Sequence, residues 1–500
     1  MSVTVLKRAA TPLNSPDNQN RDFLTVSHAK ILAMRKLLHA VADHAADFLD
    51  SLPQRPVGVT SSHKEIFASL DKSLAEDAIP VESVLADLLR DIDQGLIASG
   101  GPRYFGFVVG GATPASLAAD WLTSAWDQNG HVYATSPAAA VVEEIVARWL
   151  LELLELTAGS SVGFVTGCQM ANFTALSAAR NTVLNRAGWD LQAKGLFGAP
   201  PISVLMSDQA HATIKNSLRM IGIGDDDVQT IPSDEQGRMR MDELRAQVQR
   251  ASGRPMILST QAGNVNTGAF EPIDAIADLV GNENAWIHVD GAFGLWAAVS
   301  PQLKHLLKGV ERADSWATDA HKWLNVPYDS GMVMMKRPTE HRSLKTARCS
   351  YSGTESEDRR DGATWAPENS RRARAFVLYA AIRAQGRSGI RAMIERCTNL
   401  ARQFAMEAAA LPFATILNEV VLNQVLIRFE PPRVKDADAF HVALANEIQK
   451  SGLCWLGTTQ WKGKTALRVS VSNWSTDASA VTESVKALGD IAVRLAAEGA

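Results

Sequence analysis

Cysteine is scarce in this sequence, with four residues in a chain of 500. The four are Cys168, Cys349, Cys397 and Cys454. They lie too far apart for a zinc knuckle or a CxxC redox pair, which excludes both kinds of site. So few cysteines in so long a chain favour a reducing compartment over a disulfide-bonded secreted protein.

Long apolar runs and an excess of positive charge are also missing. No uninterrupted apolar stretch approaches the roughly 18 residues of a membrane span, and the first residues are polar where a signal peptide would be apolar. The net charge is −4 and the pI about 6.3, so the chain has no basic surplus to neutralise nucleic-acid phosphates. We therefore expect a soluble cytoplasmic protein with no nucleic acid and no membrane among its partners.

Periodicity divides the chain into three predicted parts. Residues 1–102 begin as a polar arm and continue as amphipathic helices over about 24–49 and 81–97. Residues 103–390 alternate short apolar runs with longer helical stretches, which is typical of an α/β domain with a mostly parallel sheet. Residues 391–500 read as a small α+β domain. Within the large domain, strands are predicted at 163–166, 202–207, 256–260, 286–289, 315–318 and 332–335.

One further segment, residues 349–369, is charged, contains glycine and shows no apolar period. We expect a mobile loop there. The usual phosphate and metal motifs are missing, since the sequence has no GxGxxG and no HExxH, and Gly463–Thr465 lacks the first glycine of a P-loop.

A lysine directly after a predicted strand is the strongest chemical signal. Lys322 lies in the segment Thr318–Trp323, at a place where ligand-facing residues gather in α/β sheets. It is either a solvated surface lysine or an amine whose pKa is lowered by the apolar neighbours Trp323 and Leu324, which would make it a nucleophile.

Three other strand ends carry residues that suit a planar, charged ligand. Asp290 ends an apolar strand and is either a helix cap or a carboxylate facing a heteroaromatic nitrogen. His211 opens a helix after another strand and is either a core histidine or a ring that stacks on the ligand. A strand, Gly167 and a helix start would place free backbone N–H groups around a phosphate.

Taken in order, these segments resemble the group II pyridoxal-phosphate-dependent decarboxylases, which include the aromatic amino-acid, glutamate, histidine and diaminobutyrate decarboxylases. The specific matches are Ser207–His211, Val289–Ala292 and His321–Trp323, with Ser136–Ala138 before the phosphate segment. The resemblance covers nearly the whole chain, from about Asp22 onward.

The resemblance implies the fold, the cofactor and the assembly. The fold is the α/β type I (aspartate aminotransferase-like) transferase fold, with a helical N-terminal segment and a small α+β C-terminal domain. The cofactor is pyridoxal 5′-phosphate, and the reaction converts an L-amino acid to the corresponding amine and carbon dioxide. The N-terminal helices wrap the partner subunit, so a homodimer with its active site at the interface is implied.

The resemblance also implies a role for each site residue. Lys322 forms the Schiff base with the cofactor, Asp290 pairs with the pyridine nitrogen, and His211 and Ala292 lie on opposite faces of the ring. The cofactor-binding set implied by the family is Cys168, Gln169, His321, Asn264 and Asp319. Of these, the first three lie at the phosphate.

Tyr351 lies 29 residues after Lys322. In the aromatic decarboxylases that spacing belongs to a loop tyrosine that protonates the substrate carbon, and the resemblance implies that it reaches the site of the neighbouring chain.

Several positions depart from the family pattern. Asn264 replaces a common threonine, Gln169 replaces Thr or Ser, and Asp319 replaces Asn. Asn129 and His131 stand where the aromatic enzymes place apolar side chains, which predicts a more polar substrate pocket.

Substrate and reaction keep alternatives at this stage. An aromatic, an acidic and a small diamino acid all fit. An aminotransferase would need an arginine to bind the substrate carboxylate, and Arg371, Arg372 and Arg374 are candidates. An aldehyde synthase and a non-catalytic paralogue are the remaining alternatives.

Overall fold

The structure is a computed structural model that describes residues 28–59, 61–281, 284–344 and 359–498. Contacts divide the chain into two units. The first comprises residues up to Gln54 together with His63–Asp93, and the second comprises Arg55–Ser62 and Gln94 onward. The boundaries predicted at 102/103 and 390/391 stay predictions.

The first unit is helical, as its periodicity predicts. It contains α1 (His28–Ser51), α2 (His63–Leu70) and α3 (Val81–Ile92). Its apolar side chains are largely exposed. They include Met34, Leu38, Val41, Phe67, Val84 and Leu88. A face of this kind needs another surface to cover it.

The second unit is built on a seven-stranded sheet with the strand order β1-β7-β6-β5-β4-β2-β3. Its strands are β1 (Ser161–Val165), β2 (Ser203–Ser207), β3 (Val228–Ile231), β4 (Met256–Gln261), β5 (Ala285–Asp290), β6 (Ser315–Asp319) and β7 (Gly331–Met335). Neighbouring strands in the spatial order β3-β2-β4-β5-β6 pair in parallel. Strand β7 is antiparallel to both β6 and β1. Nearly every residue of these strands is buried, as expected for a sheet covered on both faces.

Helices surround this sheet and continue beyond it. They are α4 (Pro114–Trp126), α5 (Pro137–Leu153), α6 (Cys168–Arg186), α7 (Leu191–Lys194), α8 (Ala212–Met220), α9 (Met241–Ala251), α10 (Ile273–Val280), α11 (Pro338–Arg342), α12 (Ala375–Ala409), α13 (Ala437–Ser451) and α14 (Ala478–Glu498). The long α12 is two helices joined by a kink at Gly386, whose φ of 60° lies in the left-handed region that glycine tolerates. No described helix is both long enough and apolar enough to cross a membrane.

A second, antiparallel sheet lies in the C-terminal part, with the strand order β10-β11-β9-β8. Its strands are β8 (Ala414–Ile416), β9 (Gln424–Phe429), β10 (Gly457–Trp461) and β11 (Lys464–Ser470). The small α+β arrangement is therefore confirmed. Strands β3, β8 and β10 were not predicted from the sequence, because they are short and only partly buried.

The prediction of a mobile loop over residues 349–369 is wrong for residues 359–369. Residues 359–369 are held against the large sheet by the buried Arg360, which pairs with Glu143 at 3.1 Å and lies over the rings of Phe164 and Trp365. Trp365 is itself 8% exposed. An ion pair and contacts with two aromatic rings do not produce a regular spacing of apolar residues in the sequence. The hydrophobic pattern of this segment therefore could not predict its packing. Residues 349–358 lie outside the described residues.

Candidate active site

A cavity of about 370 Å³ opens at the carboxyl ends of β4, β5 and β6. This is the edge where ligands bind in open α/β sheets. Most of the residues predicted from the sequence line it, namely Cys168, Gln169, His211, Asp290, Ala292, Asp319, His321 and Lys322. Four different connections of the chain therefore converge on one space.

Lys322 lies in this cavity as an ion-paired ammonium. Its Nζ is 2.9 Å from Oδ2 of Asp319. Burial is the largest single effect and favours the neutral amine, but the charge and hydrogen bond of Asp319 act together with other nearby groups, including Asp290, and the pKa of Lys322 is raised above its usual value. The lowered pKa expected from Trp323 and Leu324 is therefore wrong, because the carboxylate three residues earlier faces the amine.

Asp290 is a buried carboxylate that has no ion-pair partner among the described residues. It is 5% exposed and ends β5. Its Oδ1 accepts from the Cys168 thiol at 3.4 Å and from the Ala292 amide at 3.3 Å, and its Oδ2 accepts from Nδ2 of Asn172 at 3.4 Å. These contacts are long and neutral, so the negative charge of Asp290 stays available to a ligand.

His211 forms the N-terminal cap of α8 and lines the cavity. Its Nδ1 accepts the backbone N–H of Thr213 at 3.3 Å and lies 2.8 Å from the Thr213 hydroxyl. Burial lowers the pKa of His211, so the ring is neutral at pH 7. Because Nδ1 is an acceptor, the single ring proton is on Nε2.

His321 is fixed in the same way on the opposite side of Asp319. Its Nδ1 accepts the backbone N–H of Ser330 at 3.1 Å, and its ring packs on Tyr328 with the centroids 4.4 Å apart. Burial lowers the pKa of His321. Its Nε2, 3.5 Å from Asp319 Oδ1, therefore carries the proton and faces the start of α6.

The start of α6 has an N-cap that contributes no side chain. Gly167 occupies the cap position and leaves the first backbone N–H groups to other partners. The Cys168 amide donates to Asp319 Oδ1 at 2.6 Å. Gln169 turns its side chain toward α8, where Nε2 donates to Ser217 at 2.8 Å.

Among the described residues, Asn264 is the predicted site residue that does not line the cavity. Asn264 is buried behind it, and its Oδ1 accepts the backbone N–H groups of Asn266 and Thr267, so it stabilises a turn. Tyr351 lies outside the described residues. The polar substrate pocket expected from Asn129 and His131 is not found in this cavity, since neither residue lines it. Asn129 instead accepts the amides of His131 and Arg371.

The three arginines that an aminotransferase could use are all engaged with carboxylates. Arg371 lies 2.6 Å from Glu143, Arg372 lies 2.7 Å from Asp120, and Arg374 lies 2.9 Å from Asp329. None of the three lines the cavity.

Arg468 is a cavity residue that the sequence reading missed. It reaches the cavity from β11 of the small sheet and donates to the carbonyls of Phe107 at 2.7 Å and Val265 at 3.2 Å. Phe107 and Val108 have φ of 56° and 126°, a strained turn that this bond helps to hold. The sequence does contain a sign of this role, because Arg468 is a charged residue within the otherwise mostly apolar run Ala466–Val471.

Comparison with known proteins places this site in a family. The model of the pyridoxal-dependent decarboxylase conserved domain matches residues 59–430, which include every lining residue named above except Arg468. The chain belongs to the pyridoxal-dependent decarboxylase family. It is a pyridoxal-phosphate-dependent carboxy-lyase that decarboxylates an amino acid.

Individual relatives extend over most of the chain. It is 28% identical to the aromatic-L-amino-acid decarboxylase of Bacillus atrophaeus, covering 87% of this chain and 90% of the relative. It is 27% identical to the L-2,4-diaminobutyrate decarboxylase of Rhizobium meliloti, covering 99% of both. The structure of Oryza sativa TDC with PLP and tryptamine superposes with a TM-score of 0.87 at 22% identity, over 94% of this chain and 99% of that one. The type I fold expected from the sequence is confirmed.

The residues of this decarboxylase fit its cofactor. Asp290 offers a buried negative charge with only long, neutral hydrogen bonds, which suits a protonated ring nitrogen. The start of α6 at Gly167 has no side-chain cap of its own, and a helix N-terminus suits an anionic group, with the Cys168 amide already donating to Asp319. Among the described residues, no group of three or more histidine, cysteine, aspartate or glutamate side chains is arranged to hold a metal ion.

The ion pair between Asp319 and Lys322 leads to a prediction. Asp319→Asn removes the negative charge but not the burial, so it should lower the pKa of Lys322. Only the neutral amine reacts with an aldehyde, and an opposite charge at this range shifts a pKa by about 1–3 units. In apoprotein, the pH for half-maximal trapping of pyridoxal on Lys322 by borohydride should fall by a similar amount.

Asp329→Asn is the matched control, because Asp329 is paired with Arg374 and not with Lys322. The control should keep the wild-type pH dependence. An unchanged profile in Asp319→Asn would show that the ion pair does not set the charge of Lys322.

Proposed function

We propose that Lys322 binds the aldehyde of pyridoxal phosphate covalently and that Asp290, His211 and Ala292 surround its ring. The supporting observation is the convergence of these four residues, from the ends of the three strands β2, β5 and β6, on one cavity. When bound, the cofactor supplies an electron sink for the bond between the substrate Cα and its carboxylate. The protein residues then have to orient that bond, hold the necessary protons and exclude water.

Asp290 holds a proton on the ring nitrogen in this proposal. A carboxylate with no cationic partner keeps its full charge for that task, and a proton on the nitrogen makes the ring a stronger electron acceptor. Each pKa unit gained by the ring nitrogen corresponds to about 1.4 kcal/mol.

His211 serves as a stacking and donor residue. Its Nδ1 is held by Thr213, which orients the ring and leaves the Nε2–H free to donate to a substrate carboxylate. Ala292 completes the opposite wall with a methyl group only, and its backbone is fixed by the bond from the Asp319 amide to its carbonyl at 2.9 Å.

Apolar side chains form part of the cavity wall. They include Phe107, Val108, Val109, Val265 and Phe293. An apolar setting favours loss of the charged carboxylate as neutral carbon dioxide.

The test of the covalent role is direct. Borohydride reduction of the holoenzyme followed by peptide mass analysis should show pyridoxyl modification on Lys322, and Lys322→Ala should lack both the modification and carbon dioxide release. Lys336, which donates to the backbone carbonyl of Glu311 at 3.2 Å, is the control, and Lys336→Ala should retain both. Modification at a different lysine would overturn the assignment.

Tyr351 is proposed as the acid that protonates the substrate Cα after carbon dioxide leaves. The support is its position 29 residues after Lys322, which matches the family's loop tyrosine. Tyr351→Phe should still bind cofactor and release carbon dioxide, but the ratio of aldehyde to amine product should rise because the carbanion reacts with oxygen instead of a proton.

Tyr133→Phe is the control for that measurement, since the Tyr133 ring packs against Arg359 and does not line the cavity. An unchanged amine yield from Tyr351→Phe would remove Tyr351 from the catalytic residues. The substrate itself is best identified by screening the holoenzyme against the common amino acids for carbon dioxide release.

We also propose that the enzyme is a homodimer with its active site at the interface. In the second unit, α4 exposes Trp121 (43%), Leu122 (48%) and Trp126 (50%), which is unusual for side chains of this size. Phe107 and Tyr328 line the cavity yet are 66% and 63% exposed, which supports a second chain near its opening.

The dimer proposal predicts that a charge on α4 disrupts assembly. Leu122→Glu should shift the sedimentation coefficient of the holoenzyme from dimer to monomer and abolish activity. Met406→Glu, at a residue of α12 that is 69% exposed, should remain an active dimer. A fully active monomer of the wild type would contradict the proposal.

A cytoplasmic location is proposed on the state of the cysteines. Cys168, Cys397 and Cys454 are free and buried. Free thiols in a chain of this size suit a reducing compartment.

A further inference from the structure

A chain of buried hydrogen bonds leads from the interior of the sheet to Asp290. Nε1 of Trp286 donates to Ser315 Oγ at 2.8 Å, and Ser315 Oγ lies 2.9 Å from Nδ1 of His288. Nε2 of His288 lies 2.9 Å from Oδ1 of Asn172, whose Nδ2 donates to Asp290 Oδ2 at 3.4 Å. Trp286, Ser315, His288 and Asn172 are all fully buried.

The direction of this chain is set at the Asn172 end. Asn172 Oδ1 can only accept and lies 2.9 Å from His288 Nε2, so Nε2 carries a proton. In a neutral ring Nδ1 is then an acceptor, and Ser315 Oγ, which accepts the indole N–H of Trp286, donates its own hydrogen to it. Burial lowers the pKa of His288 to about 4, so the ring is neutral and its one proton is on Nε2. That proton goes to Oδ1 of Asn172, which turns the amide N–H toward Asp290.

In the opposite direction the chain would end on an acceptor. The Asn172 oxygen would then face the Asp290 carboxylate, and two acceptors at that distance repel each other. The observed chain ends instead on an amide N–H, which an Asp290 oxygen accepts.

The chain is also neutral along its whole length. A lysine or arginine next to Asp290 would cancel the charge that the ring nitrogen needs. An amide N–H stabilises the carboxylate without cancelling it. The other titratable groups around Asp290 are Cys168 on α6, His211 at the start of α8, and Asp319 and Lys322 after β6.

We propose that Ser315, His288 and Asn172 are positioning residues that aim the carboxylate of Asp290 at the cofactor's ring nitrogen. This inference rests on the proposed pairing of Asp290 with that nitrogen. None of the three lines the cavity, so each acts through Asp290.

The test uses the affinity of the apoprotein for pyridoxal phosphate and the pH dependence of the bound cofactor's absorption. Ser315→Ala removes one oxygen, and Asn172→Leu removes the donor itself. Each should weaken binding about tenfold, as is typical when an orienting partner of a site residue is lost. Each should also shift the absorption transition to higher pH, because that transition follows the proton on the imine nitrogen, and a ring nitrogen that holds its own proton less well withdraws less charge from the imine.

Ser161→Ala is the matched control. Ser161 is a buried serine on β1, and its Oγ lies 2.9 Å from Nδ1 of the buried His341, which reproduces the Ser315–His288 pair away from Asp290. It should leave both readouts at wild-type values. An equal effect of Ser161→Ala would mean that loss of any buried serine produces the change, and would overturn the proposal.

A double variant separates this inference from the proposed function. In an Asp290→Asn background, Ser315→Ala should add no further loss of affinity. If Asp290→Asn alone binds and absorbs like the wild type, the pairing of Asp290 with the ring nitrogen is wrong. If Asp290→Asn is impaired but Ser315→Ala and Asn172→Leu are not, the pairing stands and the positioning chain is wrong.

Discussion

The buried negative charge of Asp290, which has no ion-pair partner among the described residues, is the constraint on which the rest of this site depends. Removing a carboxylate from water costs several kcal/mol even after the surroundings relax. Asp290 is stabilised by three neutral donors, from Cys168, Ala292 and Asn172. The start of α6, the turn after β5 and the buried polar chain through His288 are each placed so that one donor reaches this carboxylate.

The sheet explains how the two carboxylates of the cavity come to differ. β5 and β6 are parallel neighbours, and Asp290 is in register with Ala317, two residues before Asp319. Both acids therefore reach the same edge of the sheet. Asp319 has a lysine 2.9 Å away, whereas Asp290 has none, so one charge is compensated by the protein and the other is left for the ligand.

Much of this arrangement could be predicted from the sequence. Once the strands are predicted correctly, the residues at their carboxyl ends are known as well. Asp290, His211 and Lys322 each follow an apolar run of the right length, and all three line the cavity. Contacts between distant segments could not be predicted in this way. Arg468 arrives from another sheet, and Arg360 meets Glu143 across more than two hundred residues. No local sequence pattern predicts either of these long-range contacts. Asn264 also follows a strand, but its side chain stabilises its own turn and does not line the cavity.

The charge of Lys322 shows where sequence neighbours mislead. Trp323 and Leu324 are fully buried, and an amine among such groups would lose its proton if nothing else faced it. Asp319 reverses that outcome from three residues away. Attack on the cofactor's aldehyde would require the neutral amine, so Lys322 would first have to give up the proton that the ion pair with Asp319 favours. Two neutral donors remain near that carboxylate, the Cys168 amide at 2.6 Å and His321 Nε2 at 3.5 Å. While the amine is neutral, Asp319 would be held, like Asp290, by uncharged donors.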